Sequence, residues 1–225
     1  MVYAMSDLHG CYDKYVRMLE RIGFCDDDTL YILGDVVDRG PDGIKILLDM
    51  FDRKNVIPIR GNHDHMAWKL LKLTVNSENI GDDILEITRM WFTDGGIPTY
   101  KAFRELRAAD KKRLLSYVST FFYFQEIEVG EKTFFLSHTV PEKEKMMDPE
   151  SFSLLEYIVG EPEYDKVYFE DKYIVTGHTP TSLIDESCDG RIYKKNNHIA
   201  IDCGAVFGSP LGCICLDTME EFYVD

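Results

Sequence analysis

Positive charge is what this sequence is short of. Its 225 residues carry 25 Lys and Arg against 40 Asp and Glu, a formal net charge of −15, and the pI is near 4.8. A surface of that sign repels phosphate backbones and anionic headgroups, so neither a nucleic-acid partner nor a membrane partner is expected. No apolar run is long enough to span a bilayer, and residues 1–6 lead straight into an acidic motif rather than a signal-peptide pattern. A cytoplasmic protein is expected. Cysteine is sparse: Cys11, Cys25, Cys188, Cys203, Cys213 and Cys215 are scattered through a chain too large to need disulfide staples, so reduced thiols are expected. Internal repeats, low-complexity tracts and Pro- or Ser-rich linkers are absent too. With no seam to divide it, residues 1–225 read as one domain. Global disorder is excluded by 45% hydrophobic and 12% aromatic residues.

What is present begins with alternation. Val2-Tyr-Ala-Met5 is a short apolar run halted at Ser6-Asp7, a buried strand by pattern, and Tyr12, Tyr15, Val16, Leu19 and Ile22 are spaced for one face of a helix. Thr29-Leu-Tyr-Ile-Leu33 then stops at Gly34-Asp35, Ile44, Leu47, Leu48 and Phe51 give a second helical stripe, and Val56-Ile-Pro-Ile59 precedes Gly61-Asn62. The order β-α-β-α-β predicts an α/β fold. Residues 66–119 turn helical, with a break at Asp94-Gly95-Gly96-Ile97-Pro98, and read as an insertion or cap. Residues 121–129 and 132–137 flank a Gly130-Glu131 turn as a hairpin that delivers His138 to a strand end. Later strands stop at Gly177-His178-Thr179-Pro180 and Asp202-Cys203-Gly204, and two more close the chain. Cys213-x-Cys215 lies in one of these and reads as strand packing rather than half a metal site.

Functional loops of open α/β sheets gather at the carboxyl ends of strands. Here those ends supply Asp7, His9, Asp35, Asn62, His138 and His178: two carboxylates, one amide oxygen and three imidazoles. A mixed nitrogen and oxygen set suits manganese, iron, zinc or cobalt better than calcium or magnesium. Asp35, at the central of the three strand ends, is the natural bridge between two ions, which would sit about 3.5–4 Å apart in a hydrolytic pair. Two divalent ions against two aspartates leave positive charge, which draws a phosphate, and a bridging water so held becomes hydroxide near neutral pH. His63 follows Asn62 and is the candidate general acid; Asp38 would orient it, and Arg39 offers forked donors to phosphoryl oxygens.

Asp7-x-His9-Gly10, Gly34-Asp35-Val-Val-Asp38-Arg39-Gly40, Gly61-Asn62-His63-Asp64, His138 and Gly177-His178-Thr179-Pro180 together resemble the calcineurin-like metallophosphoesterase superfamily, in its phosphoprotein-phosphatase branch with bacterial and phage members. The resemblance implies a four-layer α/β/β/α sandwich of two mixed sheets. It implies that Asp7, His9 and Asp35 hold one metal and that Asp35, Asn62, His138 and His178 hold a second. Both would be divalent transition ions, manganese first, with iron or zinc as alternatives. His63 and Asp38 would then form the acid dyad, and Arg39 would bind phosphate. Asp64 stands where a family pattern has Glu, and no Arg occurs between His138 and His178 to match a second phosphate-binding arginine. Lys143, Lys145, Lys166, Lys172, Arg60 and Arg191 are the candidates to replace it.

Other residues read more plainly: His65 as a surface or cap contact, His198 as part of the fold, and Trp68, Trp91 and Phe92 as core rather than a base-stacking platform. The expected activity is hydrolysis of phosphate monoesters, phosphoserine or phosphothreonine in proteins first, by hydroxide bound to a dinuclear metal centre. A dinucleoside polyphosphate such as diadenosine tetraphosphate is the alternative substrate. A non-catalytic scaffold is the third reading, and the intact set of ligand positions counts against it.

Overall fold

The structure, a computed structural model, describes residues 1–76, 82–148, 150 and 152–225. The first half runs β1 (Val2–Met5), α1 (Tyr12–Arg21), β2 (Thr29–Leu33), α2 (Gly43–Asp52) and β3 (Val56–Ile59). There follow α3 (Asn62–Asn76), α4 (Asp82–Trp91), a bend over Phe92–Gly96, α5 (Ile97–Glu105) and α6 (Ala108–Ser119). The second half contains β4 (Phe124–Val129), β5 (Lys132–Ser137), α7 (Lys143–Met146), α8 (Glu156–Val159), β6 (Tyr173–Thr176), α9 (Thr181–Ile184), β7 (Tyr193–Lys195), β8 (His198–Ala200), β9 (Leu211–Cys215) and β10 (Glu221–Val224).

Two mixed five-stranded sheets result, ordered β10-β9-β1-β2-β3 and β4-β5-β6-β8-β7. β1, β2 and β3 are parallel, as are β5, β6 and β8, while β9, β10, β4 and β7 run antiparallel to their neighbours. The two-residue period of a strand sorts side chains between layers. In β1, Tyr3 and Met5 join Tyr15, Met18 and Leu19 of α1, whereas Ala4 faces the opposite way. Ala4, Tyr31, Leu33 and Ile59 of the first sheet meet Phe134, Leu136, Val175 and Ile199 of the second in one core. Outside the second sheet, Phe135 and Ile174 pack with Met146 of α7 and Tyr157 of α8. The layers are therefore helix, sheet, sheet, helix, with Phe134 buried at the centre, where truncation to Ala costs about 3–5 kcal/mol.

Two details differ from the sequence pattern. Phe121 to Tyr123 are not part of β4; Phe122 instead makes a single parallel bridge to Ile59 and accepts the Arg60 N–H at 2.7 Å, lacing the first sheet toward the second. β7 escapes apolar patterning because Tyr-Lys-Lys has one buried residue, yet Asn196 and Asn197 carry positive φ of 55° and 58° in a two-residue turn to β8. No described helix is long and apolar enough to cross a membrane. All six cysteines are free.

Candidate metal centre

The carboxyl ends of the parallel strands in both sheets open onto one place, and the backbone there is strained. Asp7, His9, Asp35, Asp38, Arg39 and His178 all take positive φ, between 39° and 71°. Such geometry costs about 1–3 kcal/mol at a residue with a Cβ and persists only where the surroundings enforce it. Close approach of the loops is part of that enforcement. A Cβ on Gly61 would fall 2.1 Å from Asp35 Oδ1, so only glycine lets the third loop lie against the second.

Backbone carbonyls fix the imidazoles. His9 Nδ1 is 2.9 Å from Val37 O and His138 Nδ1 is 2.7 Å from Leu33 O, so each Nδ1 carries the donated proton and each Nε2 turns inward. Asp35 Oδ2 then lies 3.6 Å from His9 Nε2 and 3.5 Å from His138 Nε2. Its other oxygen accepts the His63 N–H at 3.0 Å. Asn62 Oδ1 is 3.0 Å from His138 Nε2 and 3.1 Å from His178 Nδ1, and those two nitrogens are 3.1 Å apart. Asp7 accepts the His178 N–H at 3.0 Å through Oδ2. Asp7, His9 and Asp35 are 2% exposed, and His138 is wholly enclosed.

The donor set fits divalent ions. Two ligands about 2.1 Å from one ion lie about 3 Å apart, close to the separations around Asp35 and Asn62. Two groups of ligand atoms converge within 4.8 Å: His9, Asp35 and His63, and Asp35, His138 and His178, sharing Asp35. Asp7 and Asn62 border these groups through the contacts above. The cluster also gathers positive charge. Arg39 Nη1 donates to His9 Nε2 at 2.6 Å, a guanidinium at the inward lone pair. Burial opposes a proton on His138, but Asp35 and Asp7 overcome it and raise its pKa to about 10. Burial likewise opposes charge on Asp35, yet His138, His63 and His9 hold its carboxyl well below the usual range.

His63 stands at the first turn of α3 with Nδ1 donating to Asp38 Oδ2 at 2.9 Å. Burial works against a charged ring, but the Asp38 hydrogen bond and the Asp35 field prevail and the pKa is raised. Its Nε2 faces the centre, 4.0 Å from Asp35 Oδ2 and 3.1 Å from Arg39 Nη2. Arg39 also lies 3.6 Å from Asp94, and its guanidinium stands over Phe207 at 5.3 Å. The candidates for a second cation are engaged elsewhere. Arg60 is buried, donating to Val118 O between Trp68 and Tyr123; Arg191 covers Tyr223; Lys166 pairs with Glu163 and Lys172 with Glu126. Lys145 pairs with Glu156, and Lys143 lies in the field of Glu163. Among the described residues, Arg39 is the one Lys or Arg hydrogen-bonded to the cluster.

Sequence reasoning missed three contributors. Asp64, placed outside the ligand set, is buried and accepts the backbone N–H groups of Asp35 at 2.9 Å, Val36 at 3.0 Å and Gly61 at 3.1 Å, pinning two loops together. Trp91 and Thr99 both donate to Asp38. The break at Asp94-Gly95-Gly96 was the signal for them. A cavity of about 310 Å³ adjoins the centre, walled by Met66, Met90, Leu155, Ile158 and Val159 with Asn62 and His63 at its edge.

A family model described as calcineurin-like phosphoesterase matches residues 1–182. A symmetrical bis(5'-nucleosyl)-tetraphosphatase of Buchnera aphidicola subsp. Schizaphis graminum is 43% identical over 65 residues, 28% of this chain and 24% of that protein. Its Delftia acidovorans counterpart is also 43% identical over 65 residues, 28% of this chain and 23% of that protein. The similar stretch thus spans about a quarter of the relatives' length. Among solved structures, a candidate diadenosine tetraphosphatase superposes with a TM-score of 0.66 at 18% identity, covering 99% of this chain and 92% of the other. A protein serine/threonine phosphatase from Saccharomyces cerevisiae gives 0.61 at 12% identity, covering 100% and 80%. At such identities the likeness is one of fold.

Proposed function

The chain belongs to the calcineurin-like phosphoesterase family, and on that premise we propose that it is a metal-dependent hydrolase cleaving dinucleoside polyphosphates, diadenosine tetraphosphate first, with water as acceptor. The observation that carries the reaction class is Asp35 Oδ2 standing between His9 Nε2 and His138 Nε2 at 3.6 and 3.5 Å. In this reading Asp7, His9 and Asp35 hold one ion and Asp35, Asn62, His138 and His178 the other. Manganese is the first choice, with iron or zinc as alternatives. When bound, such a pair supplies a water acidic enough to attack at neutral pH and a positive clamp on the phosphoryl oxygens.

The chain's own residues do the rest. Arg39 leaves His9 and turns its fork onto two phosphoryl oxygens, a shift from one set of acceptors to another. His63 delivers its Nε2 proton to the departing oxygen while Asp38 stabilises the imidazolium; a raised pKa suits that role better than ligation. No nucleophilic side chain is assigned a covalent phosphoenzyme. Residues 1–225 act as one phosphoesterase domain, and 66–119 as the insertion that caps the centre.

For the substrate, the named relatives are symmetrical tetraphosphatases, and the apolar cavity beside His63 gives a nucleoside a wall to pack against. Phosphoserine or phosphothreonine in proteins ranks behind it, because the likeness to the yeast phosphatase is one of fold alone. A freely diffusing nucleotide substrate accords with a cytoplasmic location. The test is to offer manganese-loaded protein diadenosine tetraphosphate and a phosphothreonine peptide in parallel. A kcat/KM higher for the dinucleotide by about tenfold or more, some 1.4 kcal/mol, is expected. Preference for the peptide would reverse the ranking.

A further inference from the structure

Asp38 is fully buried, and its only ion-pair partner among the described residues is His63. What else holds its carboxylate comes from either side of the bend, the last residue of α4 and the first turn of α5. Trp91 Nε1 donates to Oδ2 at 2.7 Å, the same oxygen that accepts the hydrogen bond from His63 Nδ1–H. Thr99 Oγ1 donates to Oδ1 at 2.6 Å and accepts the Asp38 backbone N–H at 2.9 Å, so one hydroxyl ties the side chain to its own main chain. The indole reaches Asp38 only because residue 96 is glycine: a Cβ there would come 2.3 Å from Trp91 Cε2. Phe92 and Tyr100 close on the same ring at 5.4 and 6.5 Å between centroids. Next along the bend, Gly95 O accepts the Arg39 N–H at 2.8 Å.

We propose that Trp91 and Thr99 are positioning residues that fix the plane of the Asp38 carboxylate, and through it the His63 ring and the direction in which Nε2 delivers its proton. The inference rests on the reading of His63 as general acid and extends it to the helical insertion. The physical ground is rotational. A carboxylate torsion is broad and roughly twofold, so an Asp38 held by His63 alone would swing and carry the imidazole with it. A donor on each oxygen removes that freedom. The proton passes from His63 Nε2 to the ester oxygen as the P–O bond breaks, and misdirecting it matters in proportion to the basicity of the leaving group. A phenol, of pKa about 10, depends on the acid. p-Nitrophenolate, a far weaker base than phenolate, needs little of it.

The experiment compares wild type, Trp91→Phe, Thr99→Val, Thr99→Ser and His63→Asn, each loaded with manganese, on phenyl phosphate and p-nitrophenyl phosphate. Trp91→Phe and Thr99→Val are expected to lower kcat on phenyl phosphate by about tenfold, leaving p-nitrophenyl phosphate within about twofold and KM unchanged on both. Thr99→Ser, which keeps the hydroxyl, restores the phenyl phosphate rate. Adding Trp91→Phe to His63→Asn costs nothing more, because the two act on one proton transfer. Equal losses on both substrates, or additive losses in the double variant, would overturn the inference while leaving the acid role of His63 in place. If His63→Asn alone shows no leaving-group dependence, the acid reading itself falls, and the inference with it.

Discussion

Removing Asp64 is the most informative single perturbation of the loops that build the centre. The carboxylate is fully buried and accepts three backbone N–H groups, with Asp35 N and Gly61 N on Oδ2 and Val36 N on Oδ1. Asp64→Ala leaves all three donors without a partner, at about 1–3 kcal/mol each before relaxation. Water entering the space left by the carboxyl group recovers part of that, so the expected loss is about 3–5 kcal/mol. With a urea slope of about 3 kcal/mol per molar for a chain of this size, the midpoint should fall by about 1–1.7 M. Asp64→Asn keeps an oxygen at the Oδ2 position but aims its NH2 at Val36 N, and should lose about 1–2 kcal/mol, which keeps the test readable if the alanine variant does not fold. Because all three donors belong to the loops of Asp35 and Asn62, the Asn variant should also bind manganese about 10–100-fold more weakly. A loss below about 1 kcal/mol in Asp64→Ala, with unchanged metal affinity, would refute the reasoning.

Other consequences can be measured separately. His63→Asn should slow turnover by about 10²–10³ on an ester with a strongly basic leaving group while metal content stays the same; an unchanged rate would remove His63 as the acid. Asp35→Asn should lower manganese stoichiometry at both positions of the pair, read by metal analysis of dialysed protein, and two full equivalents in the variant would defeat the bridging role. His198 is enclosed in the second sheet with Nε2 at 2.8 Å from Thr176 Oγ1, and burial lowers its pKa from 6.5 to about 3. Its contribution is whole above the unfolded value and drains as pH falls, because the unfolded chain takes up the proton first. That amounts to about 2 kcal/mol between pH 8 and pH 5. His198→Gln should flatten the urea midpoint over that range relative to wild type, and parallel curves would contradict the assignment.

The sequence was most legible where burial acts on neighbours in the chain. Val2–Met5, Thr29–Leu33 and Val56–Ile59 stand out because both faces of those strands are covered and polar residues stop each run abruptly. The loops around the centre follow from those stops. Contacts that join distant parts of the chain were not legible. Trp91 reads as core, and it is 3% exposed, yet its indole N–H serves a carboxylate 53 residues away, which no local periodicity records. Asp64 looks like a helix first-turn acid; its three acceptor contacts exist only once β2 and β3 lie side by side. Arg60 was a candidate for the phosphate, but its stem and guanidinium fill a buried slot between Trp68 and Tyr123, a packing role that charge alone hides.

The most direct test of the central claim is hydrolysis of diadenosine tetraphosphate by manganese-loaded protein in ¹⁸O-labelled water, with the products resolved by mass. Attack by water at the inner bond predicts two ADP molecules per substrate, one of each pair carrying a single ¹⁸O, and no turnover after chelation until manganese is returned. Undiminished activity in excess chelator, ATP and AMP in place of ADP, or unlabelled products would contradict the account.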